Sequence, residues 1–187
     1  AWMSLLIYMA MGLSALSVLV WRIKLAEITL SAIAPIGAAF TLAALVTGSI
    51  WGKPMWGTWW EWDARLTSEL VLLFLYLGVI ALLRAIDDRR TGARSASILC
   101  LIGIINIPIV HYSVEWWNTL HQGPTVSKFG SPSIHIDMLI PLLTMTVAFM
   151  FYFVIISMYR IRSAILVYDK DTQWVKSLIT KSKREQI

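Results

Sequence analysis

Trp56-Gly57-Thr58-Trp59-Trp60-Glu61-Trp62-Asp63-Ala64-Arg65-Leu66-Thr67 places four tryptophans and two acids between two long apolar runs, residues 28–50 and 69–86. A helix needs roughly 20 apolar residues to cross a bilayer, so each run reads as a membrane span and the tryptophan-rich segment as the loop that joins them. The same measure along the chain gives three more candidates, 2–20, 96–114 and 138–159. The composition agrees, with 58% hydrophobic and 14% charged residues among 187 and a mean hydropathy of +0.69. Connecting segments are short. The expectation is an all-α, polytopic integral membrane helix bundle forming a single domain over 1–187, with five transmembrane helices in this chain.

Lys and Arg are retained on the cytoplasmic side of membrane spans, and this orients the bundle. One set of connections holds Arg22 and Lys24, then Arg84, Arg89, Arg90 and Arg94, then a basic cytoplasmic tail over 160–187, together 13 of the 16 basic residues. The other set holds Lys53, Arg65 and Lys128. The net charge of +5 is therefore topological, and it gives no reason to expect nucleic acid as a partner. Two loops face outward on this reading, 51–68 and 115–136. Seven of the ten tryptophans lie in or beside them: Trp51, Trp56, Trp59, Trp60, Trp62, Trp116 and Trp117.

A belt of tryptophans at a lipid interface is the simplest account of such residues, but belts seldom interleave charges such as Asp63 and Arg65 with the rings. A flat aromatic ligand fits better. Gly52-Lys53-Pro54 reads as a turn leading into a short surface helix with Pro54 in its first turn. In that helix Trp56, Trp59, Trp60 and Asp63 share one face, and Glu61 and Arg65 pair at i, i+4. In the second loop, a helix continued to Gln122 and stopped by Gly123-Pro124 makes Trp117 and His121 i, i+4 neighbours. Such an imidazole beside indoles is a candidate iron ligand. His111 and His135 are its competitors, and composition does not separate the three.

Other chemistries find little support. The spans lack the mid-bilayer acids and bases of ion-coupled transporters, since Glu69, Arg84 and Asp137 lie near segment ends where they reach the interface. No Walker A sequence is present. Cys100 stands alone in a span, and no C-x-x-C-H for covalent haem attachment occurs.

The stretch 56–76 together with His111-Tyr112-Ser113-Val114-Glu115-Trp116-Trp117-Asn118-Thr119-Leu120-His121-Gln122-Gly123 resembles the WWD-domain haem-handling family, which includes CcmC, CcmF and CcsA, and is similar to its CcmC type over essentially the whole chain. The resemblance implies six transmembrane helices in the complete protein, a periplasmic WWD surface and two axial histidines on haem b. His121 matches the second ligand, as an iron-binding residue. Trp56, Trp59, Trp60, Trp62 and Asp63 match the haem or chaperone surface, with Arg65, Trp116 and Trp117 beside them. The first ligand lies in an H-V-P sequence ahead of the segment that opens here with Ala1, so one helix and one ligand are expected upstream.

Implied partners are the haem chaperone CcmE, the ATP-binding-cassette subunits CcmA and CcmB, and CcmD. The implied setting is the bacterial inner membrane, with a mitochondrial inner membrane as the alternative. The role is delivery of haem for cytochrome c maturation, more a transport component than an enzyme. A transporter of another solute and a CcmF- or CcsA-like haem lyase are the alternatives.

Overall fold

The computed structural model describes residues 1–117, 121 and 134–178. Among them six long helices run in order: α1 Trp2–Trp21, α2 Lys24–Trp56, α3 Ala64–Ala85, α4 Arg89–Gly103, α5 Asn106–Trp116 and α6 Ile136–Tyr168. A further turn of helix covers 173–178, and no strand occurs among the described residues. Because α4 and α5 together make one crossing, the helices provide five spans, the number predicted. The Gly123-Pro124 stop, most of the second loop and the last basic residues, Lys181, Lys183 and Arg184, lie outside the described residues.

The fourth span is interrupted where proline dictates. Pro108 has no N–H to return to the Ile104 carbonyl and disfavours helical geometry just before it. That carbonyl instead accepts from Ile107 N at 3.0 Å, and two further i to i+3 bonds, Ile104 N to Leu101 O and Ile105 N to Ile102 O, tighten the chain between α4 and α5. Other boundaries carry caps. Asp88 accepts from Thr91 N at 2.9 Å at the start of α4, and its hydrogen bonds from Thr91, side chain before backbone, hold its carboxyl below the usual range.

Helices α1 to α4 pack around a core of Ile7, Tyr8, Met11, Leu30, Leu72, Tyr76 and Val79, each essentially inaccessible. Tyr8 and Tyr76 meet edge to face at 5.0 Å, and the Tyr76 hydroxyl donates to the Ser4 carbonyl at 2.7 Å. Two glycines make room for this pair. A Cβ on Gly37 would lie 2.1 Å from Tyr76 Cε1, and one on Gly103 would lie 2.0 Å from the Tyr8 hydroxyl. Glu69 departs from expectation. It does not reach the interface, but is 5% exposed on the bundle-facing side of α3, where Oε1 accepts from Ser4 Oγ at 2.7 Å. The two are brought together because α1 and α3 share this core.

Helix α6 stands at the edge. None of its most apolar window is buried in the bundle, against half for α2. It runs antiparallel along α2, its principal neighbour, which has the same length of 33 residues. Phe40 meets Phe149 and Tyr152 edge-on at 5.8 and 6.3 Å, Arg160 Nε donates to the Ala32 carbonyl at 2.8 Å, and Lys24 pairs with Asp169.

The Gly37 contact yields a test. Alanine in place of glycine in an exposed stretch of helix is worth roughly 0.5–1 kcal/mol in favour of folding, whereas overpacking a filled core costs about 1–3 kcal/mol. Gly37→Ala should therefore lower the thermal unfolding midpoint in detergent. Gly48→Ala, whose Cβ would meet nothing within 4 Å, should not. Equal midpoints would disprove the tight Gly37 to Tyr76 approach.

Candidate functional site

The surface helix expected over the tryptophan loop does not form. Instead α2 continues through Pro54 to Trp56 and stops at Gly57, whose φ of +78° is the left-handed cap that glycine adopts without strain. Gly57 N donates to the Lys53 carbonyl at 3.0 Å, and Lys53 Nζ reaches back to the Gly57 carbonyl at 3.1 Å. Residues 57–63 are non-helical, and α3 starts afresh at Ala64. Pro54 lies in the last turn of α2, where it leaves the Ile50 carbonyl without its i+4 donor. With the face broken, Glu61 and Arg65 form no pair.

The loop is folded back on its own flanks. Ser49 Oγ donates to the Trp59 carbonyl at 2.6 Å, and Thr58 Oγ1 donates to the Trp60 carbonyl at 2.9 Å. The indoles consequently differ in setting. Trp59 and Trp62 are 57% and 74% exposed, whereas Trp56 and Trp60 are half-buried. Lys53 Nζ lies 5.8 Å over the Trp59 ring, and Trp60 meets Trp62 edge-on at 5.5 Å. Trp56 packs at 5.3 Å against Trp51. The Trp60 Nε1 donor is buried with no partner among the described residues.

Asp63 ends the loop and caps α3. Its Oδ1 accepts from Leu66 N at 2.7 Å, while its Oδ2 lies 2.8 Å from His121 Nδ1. The Asp63 side chain is 5% exposed and that of His121 is 24% exposed. The His121 ring also meets Trp56 edge-on at 4.7 Å. Two loops 58 residues apart in sequence thus join at one carboxylate. With Nδ1 turned to Asp63, Nε2 lies on the opposite edge of the imidazole.

The route by which His121 arrives also differs from expectation. Helix α5 ends at Trp116, and Trp117 is extended at φ −128°, ψ 153°, so His121 is not carried one helical turn beyond Trp117. The first half of α5 is positioned from α3. Arg65 donates to the Val110 carbonyl at 2.8 Å, and the Asn106 amide donates to the Ser68 carbonyl at 2.9 Å. Trp116 is stacked on Tyr112 at 5.5 Å and meets Trp117 at 5.9 Å, forming a separate aromatic group on α5.

The structure separates the three histidines. His111 lies edge-on to Tyr112 at 4.8 Å within α5. His135 caps α6 and pairs with Asp137 at 3.2 Å in an exposed position. His121 is the one set among the loop's residues. Sequence reasoning missed three organising contacts: the cap at Asp63, the Arg65 bond to α5 and the buried Glu69. An aspartate three residues before Leu66, at the start of an apolar run, was the available signal for the first.

Residues 1–176 match the family described as Heme exporter protein C, CcmC. The chain belongs to this family. It is 55% identical over 179 residues to the Heme exporter protein C of Escherichia coli K12, covering 96% of this chain and 72% of that protein. To the protein of the same description from Haemophilus influenzae it is 52% identical over 172 residues, covering 92% and 70%.

The cap and the histidine contact are separable by substitution. Asp63→Ala removes both, so it should cost about 1 kcal/mol in capping alone and expose the loop to proteolysis between residues 57 and 63. Asp63→Asn keeps an oxygen for Leu66 N and should retain the parent's stability. Loss of stability in both variants alike would show that the carboxylate charge, not the cap, holds the start of α3.

Proposed function

We propose that this chain holds haem at its tryptophan-rich end and presents it for transfer in cytochrome c maturation. The observation that carries the reading is the junction of Asp63, His121 and Trp56. It places an imidazole, oriented by a carboxylate, beside a loop whose indoles point partly into the surroundings. Family membership supports the haem-export role, since the relatives bear the description Heme exporter protein C.

The residues present fit haem. A carboxylate accepting from Nδ1–H fixes the neutral tautomer in which Nε2 carries the lone pair for a metal, and it raises the basicity of that nitrogen. Exposed Trp59 and Trp62 offer apolar area to a flat macrocycle. The buried, unpartnered Trp60 Nε1 would be answered by a carboxylate acceptor, a group that haem carries as its propionates. Haem b brings its own reactive vinyl group, so this chain needs to bind, orient and shield its cargo and requires no nucleophile.

In this reading His121 is one axial ligand. The other would be the H-V-P histidine that the family pattern implies. The exposed indoles serve the handover to the chaperone CcmE, with Trp116 and Trp117 at the margin of the same surface. CcmA, CcmB and CcmD complete the machinery. The chain lies in the bacterial inner membrane, with the tryptophan-rich end periplasmic and the basic end cytoplasmic, as the distribution of Lys and Arg favours.

The full-length protein should co-purify with haem showing a low-spin, two-histidine spectrum. His121→Ala should abolish that spectrum and His111→Ala should not. Asp63→Asn is the sharper variant. With Oδ1 kept on Leu66 N, its amide would donate to Nδ1 and drive the ring proton to Nε2, so haem should be lost from a protein that is still folded. A parental spectrum in His121→Ala overturns the ligand assignment, and one in Asp63→Asn overturns the orienting role.

Presentation is separable from ligation. Trp59→Ala with Trp62→Ala should leave the axial spectrum in place, because the Asp63 and Trp56 contacts of His121 are kept, and should reduce covalent loading of CcmE. Normal loading by the double variant would confine these indoles to a role at the lipid interface.

A further inference from the structure

At the basic end of the molecule, two hollows on the α2–α6 seam share Arg160. The first, about 390 Å³, is lined by Ser31, Arg89, Arg160, Ser163 and Tyr168. The second, about 440 Å³, continues along the seam between Pro35, Ala39, Phe40, Phe149, Tyr152 and Ile156. The first sets two arginines among apolar Ile28, Ala32, Ala164 and Val167, the second is apolar and aromatic, and Arg160 stands where they meet. We propose that this pair of hollows is a binding site for one anionic phospholipid, with its phosphate between Arg89 and Arg160 and an acyl chain along the groove beyond.

The local chemistry favours an anion. Arg160 uses Nε on the Ala32 carbonyl and has no carboxylate partner among the described residues. Arg89 lies 5.0 Å over the Tyr168 ring, likewise with no ion pair among the described residues. The neighbouring charges are accounted for. Lys24 is paired with Asp169 and also lies over Tyr168 at 4.2 Å. Glu27 lines an adjoining hollow that shares Ser31, Arg89 and Tyr168 with the first, and it is within the field of Arg90. Ser163 lines the same hollow and offers a hydroxyl donor to phosphate oxygens, while the Ser31 hydroxyl donates to the Ile28 carbonyl at 2.8 Å and leaves its oxygen beside them. Pro35 withholds the N–H that would meet the Ser31 carbonyl, so the α2 backbone is less self-satisfied at this turn.

Depth agrees with a lipid. Arg160 precedes Asp169 by nine residues, about 13 Å along a helix at 1.5 Å per residue. Its guanidinium therefore sits below the terminal ion pair, where phosphate and glycerol give way to hydrocarbon. A charge at that depth is costly unless paired, and a lipid phosphate supplies the pair while its chain fills a groove that α6, resting mainly on α2, leaves open to the bilayer. Haem, the other anionic amphiphile in reach, fits less well, because neither hollow is lined by a histidine, cysteine or methionine to meet its iron.

The test is native mass spectrometry of the full-length protein released from mild detergent, titrated with phosphatidylglycerol or with phosphatidylcholine of identical chains. One phosphatidylglycerol should be retained per protein in preference to phosphatidylcholine. The double variant Arg89→Gln, Arg160→Gln should weaken that retention roughly tenfold or more, as expected for loss of charge-assisted bonds to phosphate. Arg162→Gln, which lines neither hollow, should bind as the parent does and controls for bulk charge. Phe40→Ala should weaken retention with the arginines intact, distinguishing a seated lipid from a surface counterion. Equal retention of both lipids, or parental binding by the double variant, overturns the site. Displacement of bound phosphatidylglycerol by haem, dependent on the same two arginines, overturns the choice of occupant.

Discussion

The Asp63 carboxylate serves two masters, and the tryptophan-rich end of the molecule is arranged around that fact. One oxygen closes the first turn of α3 through Leu66 N, and the other faces His121 Nδ1. Capping fixes where α3 begins, and the beginning of α3 decides everything that follows in register. Arg65 reaches the Val110 carbonyl, the Ser68 carbonyl receives Asn106, and Glu69 turns inward to Ser4. Shifting the helix start by one residue would rotate each of these by about 100°. In a hydrocarbon setting, where unsatisfied polar groups cost several kcal/mol, such a shift is strongly disfavoured. The cap thus specifies the bundle as well as the site.

The spans were legible because they depend on length and hydropathy, quantities a single sequence carries in full. The loop was misread for a definite reason. Trp56, Trp59, Trp60 and Asp63 do recur at helical spacing, but a spacing shared by four residues is weak evidence when a glycine that can cap and an aspartate that can cap lie within the same stretch. Gly57 and Asp63 are stop and start signals, and together they outweigh the periodicity. Pro54 was read as opening a helix when it lies in the closing turn of one. Pro108 was the visible sign that the fourth span is two helices.

The grouping of His121 with Asp63 and Trp56 was not legible, because it is a tertiary contact across 58 positions and no local pattern encodes it. The i, i+4 argument from Trp117 reached the same histidine by a path that the extended backbone at Trp117 rules out. Glu69 reads as interfacial from the sequence because only its position near a segment end is visible there. The side of the helix it occupies is set by α1, and that is not.

Association of helices within lipid gains little from hydrophobic burial, since the tails are as apolar as the side chains, so polar and aromatic contacts must select the neighbours. The two ends of this bundle meet that requirement differently. At the basic end Tyr168 is approached by Lys24 of α2 and Arg89 of α4, and Lys24 is tied to Asp169, so cations are used to hold α6 to both helices. At the tryptophan-rich end the ties run through α3, whose cap Asp63 meets His121, and through Trp56 at the end of α2. The histidine is therefore tied to a carboxylate at the start of one of the four core helices, and its ring orientation follows from where α3 begins, so the cap that sets the register of the bundle also sets the direction of the imidazole.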